Sequence, residues 1–262
     1  MILAGQRCLA GWQHRNQGCC KTERQFYSGP FLNRRTGMLE VSGIYKKFKK
    51  RQILNGASFT AAPGQCVGIA GGNGCGKTTL LSILAGVSRP DQGSIRFNGE
   101  EAVGRRSVFE KRAAYVPQEN PLIPELTARD NFALWYKGDK KKMERDLEQG
   151  VAKTLGISRF LDVPAGKLSG GQKKRLSIAA ALSNQASLLI MDEPGAALDL
   201  GAKEEILHYI RTFTQGGGTV ILTSHEMPEL QACSALYILK EGVLIPESIE
   251  NGVEPEKLIG KF

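Results

Sequence analysis

The stretch Gly71-Gly72-Asn73-Gly74-Cys75-Gly76-Lys77-Thr78-Thr79 constrains this chain more than any other. It fits the pattern G-x-x-x-x-G-K-[ST]. The apolar run before it, Cys66 to Ala70, reads as a short buried strand, and Thr79 to Ala85 reads as the start of a helix. Strand, glycine loop and helix in that order are the context the pattern requires. Glycines let the backbone turn its N–H groups toward one point, and a helix N-terminus adds positive partial charge. Such a loop captures anions. Lys77 can reach the β- and γ-phosphates of a nucleoside triphosphate, and the Thr78 hydroxyl can ligate Mg²⁺. Glycine-rich turns are common without this chemistry. The Lys-Thr pair in register, with both flanks correct, weighs against that blander reading.

The length of 262 residues suits one large domain or two modest ones. No apolar run of about eighteen residues is present, so no bilayer span is expected. Met1 to Trp12 is a poor secretory signal, because Gln6 and Arg7 interrupt its apolar run. A cytoplasmic location is expected. The net charge is +9, but Arg7, Arg15, Lys21, Arg24, Arg34 and Arg35 against Glu23 place +5 of it in residues 1–37. The rest of the chain is only mildly basic. An anionic nucleotide or a membrane surface accounts for that as well as nucleic acid does, and no nucleic-acid partner is expected. The six cysteines show no metal-ligand spacing. Cys66 and Cys233 read as small buried apolar residues. Cys75, inside the glycine loop, is open to alkylation.

Residues 1–37 show neither a helical nor a strand period. They read as a poorly ordered extension or a start codon placed too early, with a cysteine-bearing docking tail as the alternative. An ordered domain is expected over 38–262. Leu39 to Ser42 opens a strand, Lys46 to Arg51 reads as a solvated basic turn around Phe48, and Ile53 to Thr60 is a second strand. Ser94 to Phe97 and Ala113 to Val116 are short strands. From Asn120 the character becomes helical. Thr127 caps one helix, and Met143, Leu147, Val151 and Leu155 recur every four residues as one apolar face of another. Trp135 and Tyr136 read as core of this insertion, placed at about 120–182. Leu188 to Met191 and Gly218 to Thr223 are buried strands, followed by Leu236 to Leu239, a turn at Gly242 and a polar tail. Strands alternating with helices predict an α/β fold with a mainly parallel sheet, an antiparallel β edge and an inserted α-helical subdomain.

Four groups then fall at the C-terminal ends of parallel strands, where open α/β sheets bind ligands. They are the glycine loop, Gln118, Asp192-Glu193 and His225. Alone, Gln118 is a surface turn residue, Asp192 and Glu193 a solvated strand end, and His225 an ordinary capped histidine. Together they suit triphosphate hydrolysis. That reaction needs charge neutralisation and an aligned water. Lys77 and Mg²⁺ supply the first. Asp192 can hold the Mg²⁺ shell, Glu193 can accept a proton from water, His225 can contact the γ-phosphate, and Gln118 can touch Mg²⁺ or the water.

From Met38 to about residue 245 the sequence resembles an ATP-binding subunit of an ABC transporter. Gly71–Thr79 matches the Walker A motif of the P-loop NTPases, Gln118 the Q-loop, Leu188–Glu193 the Walker B segment and His225 the switch histidine. Leu168-Ser169-Gly170-Gly171-Gln172 matches the signature, whose place between Q-loop and Walker B is specific to this family. The resemblance implies that ATP contacts Gly71, Gly72, Asn73, Gly74, Cys75, Gly76, Lys77, Thr78, Thr79 and Gln118, with Phe48 stacked on adenine. It implies Glu193 and His225 as catalytic partners of Lys77, and Thr78, Gln118 and Asp192 around Mg²⁺. It also implies head-to-tail pairing with a second ATPase subunit, identical or paralogous. Ser169, Gly170, Gly171 and Gln172 would then serve the partner's ATP, with Asp199 in the D-loop between the sites. The helical subdomain would dock membrane-embedded subunits, leaving the chain peripheral on the inner face of the cell membrane.

One departure stands out. After Pro194 the family usually carries a polar pair; here Gly195-Ala196 follows, and Ala196 has no hydroxyl to cross a dimer interface. Weaker coupling between sites is expected. The stretch Glu125 to Asn131 resembles exporters with separate membrane subunits. Two other readings stay open: a soluble ABC ATPase outside transport, and an ATP-holding regulatory module with little turnover.

Overall fold

Strand β1 (Leu39–Phe48) and strand β2 (Arg51–Ala61) form an antiparallel hairpin. Only Lys49 and Lys50 of the basic run form its turn, with Lys49 at φ 52°. The expected solvated turn is therefore mostly strand, because the strand pairing continues to Phe48↔Arg51. β3 is Cys66–Ala70, and β4 (Gln92–Phe97) and β5 (Glu100–Glu101) extend the hairpin into a four-stranded antiparallel sheet of order β2-β1-β4-β5. Asn98 and Gly99, both at positive φ, make the tight β4–β5 turn. The computed structural model describes residues 37–247, so the expected N-terminal extension lies, Gly37 apart, outside the described residues.

The second sheet carries the chemistry. Strands β6 (Ala113–Val116), β7 (Leu188–Asp192), β8 (Thr219–Thr223), β9 (Ala235–Lys240) and β10 (Val243–Glu247) join β3 in the order β10-β9-β3-β8-β7-β6. All neighbours are parallel except β10, which runs antiparallel to β9. Every residue of β3, β7 and β8 is buried, as expected for central parallel strands covered on both faces. The expected polar tail after Gly242 is instead β10. Buried Leu244 anchors it, and Pro246 is tolerated because the strand is at the sheet edge.

Helix α1 (Lys77–Leu84) joins the two sheets. Its Leu80, Leu81, Ile83 and Leu84 are fully buried in one apolar core with Leu39, Val41 and Ile95 of the first sheet and Ile69, Ile190 and Ile221 of the second. The four apolar residues of this helix all turn inward, and their packing holds the loop at its N-terminus in place. Helix α2 (Arg106–Arg112), which the sequence reading did not include, leads into β6.

Between β6 and β7 the named elements are all helical. α3 is Ala128–Trp135, α4 Lys140–Gln149 and α5 Val151–Thr154; two 3₁₀ turns follow, then α6 (Gly170–Leu182). Thr127 caps α3 by accepting from the Asp130 N–H. The periodic face of Met143, Leu147, Val151 and Leu155 is buried as expected, but Gly150 breaks the single expected helix into α4 and α5. Trp135 is not core: it ends α3 and is 51 % exposed, beside Leu134 at 59 %. Tyr136 is half-buried and donates to Asp146 at 2.6 Å. After β7 come α7 (Leu200–Gln215) and, following β8, α8 (Met227–Gln231). No helix among the described residues is long and apolar enough to cross a membrane.

Candidate active site

The C-terminal ends of β3, β6, β7 and β8 carry Gly71–Thr79, Gln118, Asp192-Glu193 and His225 respectively. Four of these side chains meet in a continuous line. Gln118 Nε2 donates to Glu193 Oε2 at 3.2 Å. Glu193 Oε1 lies 3.3 Å from His225 Nε2, and that nitrogen lies 3.0 Å from Lys77 Nζ. The ammonium of Lys77 also donates to the Gly71 and Gly72 carbonyls at 2.8 and 3.2 Å.

Lys77 is buried, and no carboxylate lies within ion-pair distance of it among the described residues. A buried cation without a counter-charge is costly, so the loop is built for an anion. Its shape agrees. Gly76 sits at φ 114°, and a Cβ there would lie 2.8 Å from the Ile53 side chain. Gly74 opens onto free space at φ 73°. Thr78 and Thr79 lie in the first turn of α1, where N–H groups point at the loop; Thr78 is exposed and Cys75 half-buried. Arg51 reaches across to the Gly74 carbonyl at 3.4 Å, which brings the β1–β2 hairpin and its Phe48, 50 % exposed, beside the phosphate loop.

Asp192 is buried and accepts from Thr223 Oγ1 at 2.6 Å, which fixes one of its oxygens. The same Thr223 hydroxyl and the Thr223 carbonyl receive the Glu193 N–H at 3.2 and 3.1 Å. This clamp holds Glu193 at φ 45°, a backbone region rarely tolerated outside glycine and concentrated at functional sites. Thr223 was not singled out in the sequence reading; its signal was a hydroxyl ending an otherwise apolar strand.

The signature stands apart from this line: no hydrogen bond among the described residues joins it to Lys77 or Glu193. Ser169 caps α6 through a capping box, in which its Oγ accepts from the Gln172 N–H and the Gln172 side chain accepts from the Ser169 N–H. The Gln172 amide is thus occupied in holding the cap. Ser169 and Gly170 are exposed. Gly170 faces the Leu198 side chain, and Gly171 packs so closely on Ala202 that a Cβ would lie 2.6 Å away. Asp199 caps α7 by accepting from the Ala202 N–H at 2.9 Å. Signature and D-loop therefore form one packed unit.

The chain matches known proteins along most of its length. The sequence profile described as "ABC transporter" covers residues 54–196. The chain is 36 % identical over 212 residues to the Nod factor export ATP-binding protein I of Paraburkholderia xenovorans (strain LB400), covering 80 % of this chain and 70 % of the relative. It is 34 % identical over 223 residues to the same-named protein of Rhizobium sp. (strain N33), covering 84 % and 73 %. A nucleotide-free ATP-binding cassette from an ABC transporter superposes with a TM-score of 0.74 at 25 % identity, over 86 % of this chain and 96 % of that one. A dimeric cassette in a post-hydrolysis state bound to ADP and Pi superposes with a TM-score of 0.71 at 25 % identity, over 82 % and 100 %. With that fold, that triphosphate loop and those relatives, the chain belongs to the ABC transporter family, as an ATP-binding and ATP-hydrolysing subunit.

Proposed function

We propose that this subunit powers export through separate membrane-embedded subunits, and that it works as one half of a head-to-tail ATPase pair. The line from Lys77 through His225 and Glu193 to Gln118 carries the reading. It gathers, where four parallel strands end side by side, a cation for the phosphates, a carboxylate to take the proton of the attacking water, a histidine to contact the γ-phosphate and a glutamine to touch Mg²⁺ or the water. The exposed Ser169 and Gly170 at the α6 N-terminus are presented outward, which suits service to a second chain's ATP. Relatives named as export proteins support the direction, and the exposed Leu134 and Trp135 on the helical segment of about 120–182 support docking of membrane subunits. The chain then sits on the inner face of the membrane.

The donors available for Mg²⁺ fit that ion. Thr78, Asp192 and Gln118 offer hard oxygens, and no cluster of three or more His, Cys, Asp or Glu suited to a metal lies among the described residues. Mg²⁺ commonly binds through one or two protein oxygens, with phosphates and water completing its shell. When bound it neutralises phosphate charge. Phe48, half exposed on the β1–β2 hairpin, supplies in this reading a ring for the base to stack on.

The test is ATP turnover with Mg²⁺ and with chelator, alongside size in solution with ATP and fractionation with membranes that hold its membrane subunits. The proposal expects turnover lost with chelator, an ATP-dependent dimer and membrane association. ATP binding without a dimer, in any mixture of subunits, would sink the pairing.

A further inference from the structure

Lys174 lies on α6, one and a half turns from the Ser169 cap, and is 1 % exposed. Its stem is buried with Gly171 three residues before and Ile178 four residues after, so it occupies the inward face of the helix. Its ammonium donates to two backbone carbonyls beyond β6, Pro117 O at 3.2 Å and Gln118 O at 2.9 Å. No carboxylate lies within ion-pair distance among the described residues; Asp192 and Glu229 act on it only from further off. Burial pushes its pKa down while those two charges pull it up. An apolar side chain of this length would fill the same space without burying a charge. What Met or Leu could not do is hold the Gln118 backbone.

We infer that Lys174 is a positioning residue that ties the signature helix to the Gln118 loop, so that the state of this chain's own ATP site is carried to the signature serving the partner's site. The inference rests on the paired reading above. The connection is short. Glu193 touches the Gln118 side chain, the Gln118 carbonyl holds Lys174, and Lys174 and Ser169 share the first two turns of one helix whose later residues are mostly buried. A shift of the Gln118 backbone toward or away from Glu193 must move Lys174 or break a half-buried charge-assisted hydrogen bond.

Four proteins test this: Lys174→Met, which keeps the stem and loses the donors; Lys174→Arg, which keeps donors; Gln118→Ala; and the Lys174→Met, Gln118→Ala double variant. We expect Lys174→Met to lower kcat about tenfold with KM changed less than about threefold, and to bring the Hill coefficient for ATP toward one. Lys174→Arg restores most of both. On the Gln118→Ala background, Lys174→Met costs less than about twofold, because the residue it positions is already gone. Equal fold losses on both backgrounds would mean a merely structural lysine and overturn the inference, as would wild-type kcat and cooperativity in Lys174→Met. A second readout needs neither partner nor turnover: millisecond amide exchange of the nucleotide-free monomer, followed over residues 117–122. Lys174→Met should quicken it severalfold while later turns of α6 stay protected. Unchanged exchange overturns the tie itself. Quickened exchange in a protein that never pairs would instead keep the tie and discard the pairing. If Lys174→Met does not fold, Lys174→Gln replaces it in every measurement.

Discussion

His225 Nε2 lies 3.0 Å from the Lys77 ammonium and 3.3 Å from a Glu193 carboxylate oxygen. One ring nitrogen cannot accept from the lysine and donate to the carboxylate at once. A bare Nε2 favours Lys77, and an Nε2–H favours Glu193. A γ-phosphate arriving beside Lys77 competes for the same ammonium. On the proposed function, this arrangement would let His225 respond to which species occupies the loop.

If, as proposed, Glu193 takes the proton of the attacking water, Glu193→Gln should lower kcat by at least about a hundredfold. Lys77 and the loop are untouched, so ATP should still bind. The variant should accumulate as an ATP-held dimer, visible by light scattering. A variant with wild-type turnover would assign proton removal elsewhere.

Phe48 is half exposed, with Lys46 Nζ 5.5 Å from its ring centre, and has little packing to lose. Phe48→Ala should raise KM for ATP about tenfold, the scale of one lost base stack, with kcat nearly constant. Phe48→Trp should retain affinity. An unchanged KM in Phe48→Ala would place the base on another surface.

Glu229 is buried, receives the Gly195 N–H and Ser224, and has its carboxyl raised above the ordinary 4.5, chiefly by burial. The folded state therefore keeps the Glu229 proton to higher pH than the unfolded chain does. The stabilisation is full below 4.5 and is lost as pH rises through the folded-state value. Glu229→Gln fixes the neutral form. Relative to this variant, wild-type melting temperature should fall as pH rises from 4.5 toward neutrality. Parallel profiles would show that Glu229 does not titrate in that window.

Ala197 sits at φ 59°. A left-handed backbone costs an L-residue about 1–2 kcal/mol, which glycine escapes at some entropic cost. Ala197→Gly should stabilise the protein by about 0.5–1 kcal/mol in urea titrations. Loss of stability would indicate that the Ala197 methyl makes packing contacts worth more than the strain.

Cys75 is half-buried in the phosphate loop, whereas Cys66 and Cys233 are 4 % and 6 % exposed with sulfurs 3.4 Å apart. The hydrogen-bonded Cys66 thiol and burial push the Cys233 thiol up, which lowers its thiolate fraction. Maleimide should modify Cys75 well before Cys66 or Cys233 in peptide mass maps, and ATP should slow it. Equal labelling of all three would contradict the burial at the base of β3.

The local elements were legible in the chain because each is encoded within a few residues. Cys66 to Ala70 and Leu188 to Met191 are uninterrupted apolar runs, and an apolar run of that length has few places to go but a central strand. The Gly76-Lys77 junction declares a helix start, and Ser169 with Gln172 spells out a capping box. The errors came where a local pattern met a distant constraint. The stretch after Gly242 reads as a polar tail because its apolar Val243, Leu244 and Ile245 are a run too short to declare an element by itself; pairing with β9 makes it a strand. Gly150 divides a periodic face that the spacing alone joined. Trp135 looked like core because it is large and apolar, yet helix packing left it outside.

By itself, the sequence determined the order of the motifs and the kind of chemistry, because glycine spacing and residue type dictate what a loop can bind. Only the tertiary structure decided that His225 lies between Lys77 and Glu193, that Thr223 clamps Asp192 and Glu193, and that Lys174 holds the Gln118 backbone. Those contacts join residues 30 to 148 positions apart. No periodicity reports such distances; they arise where parallel strands end side by side and bury polar groups that must find partners.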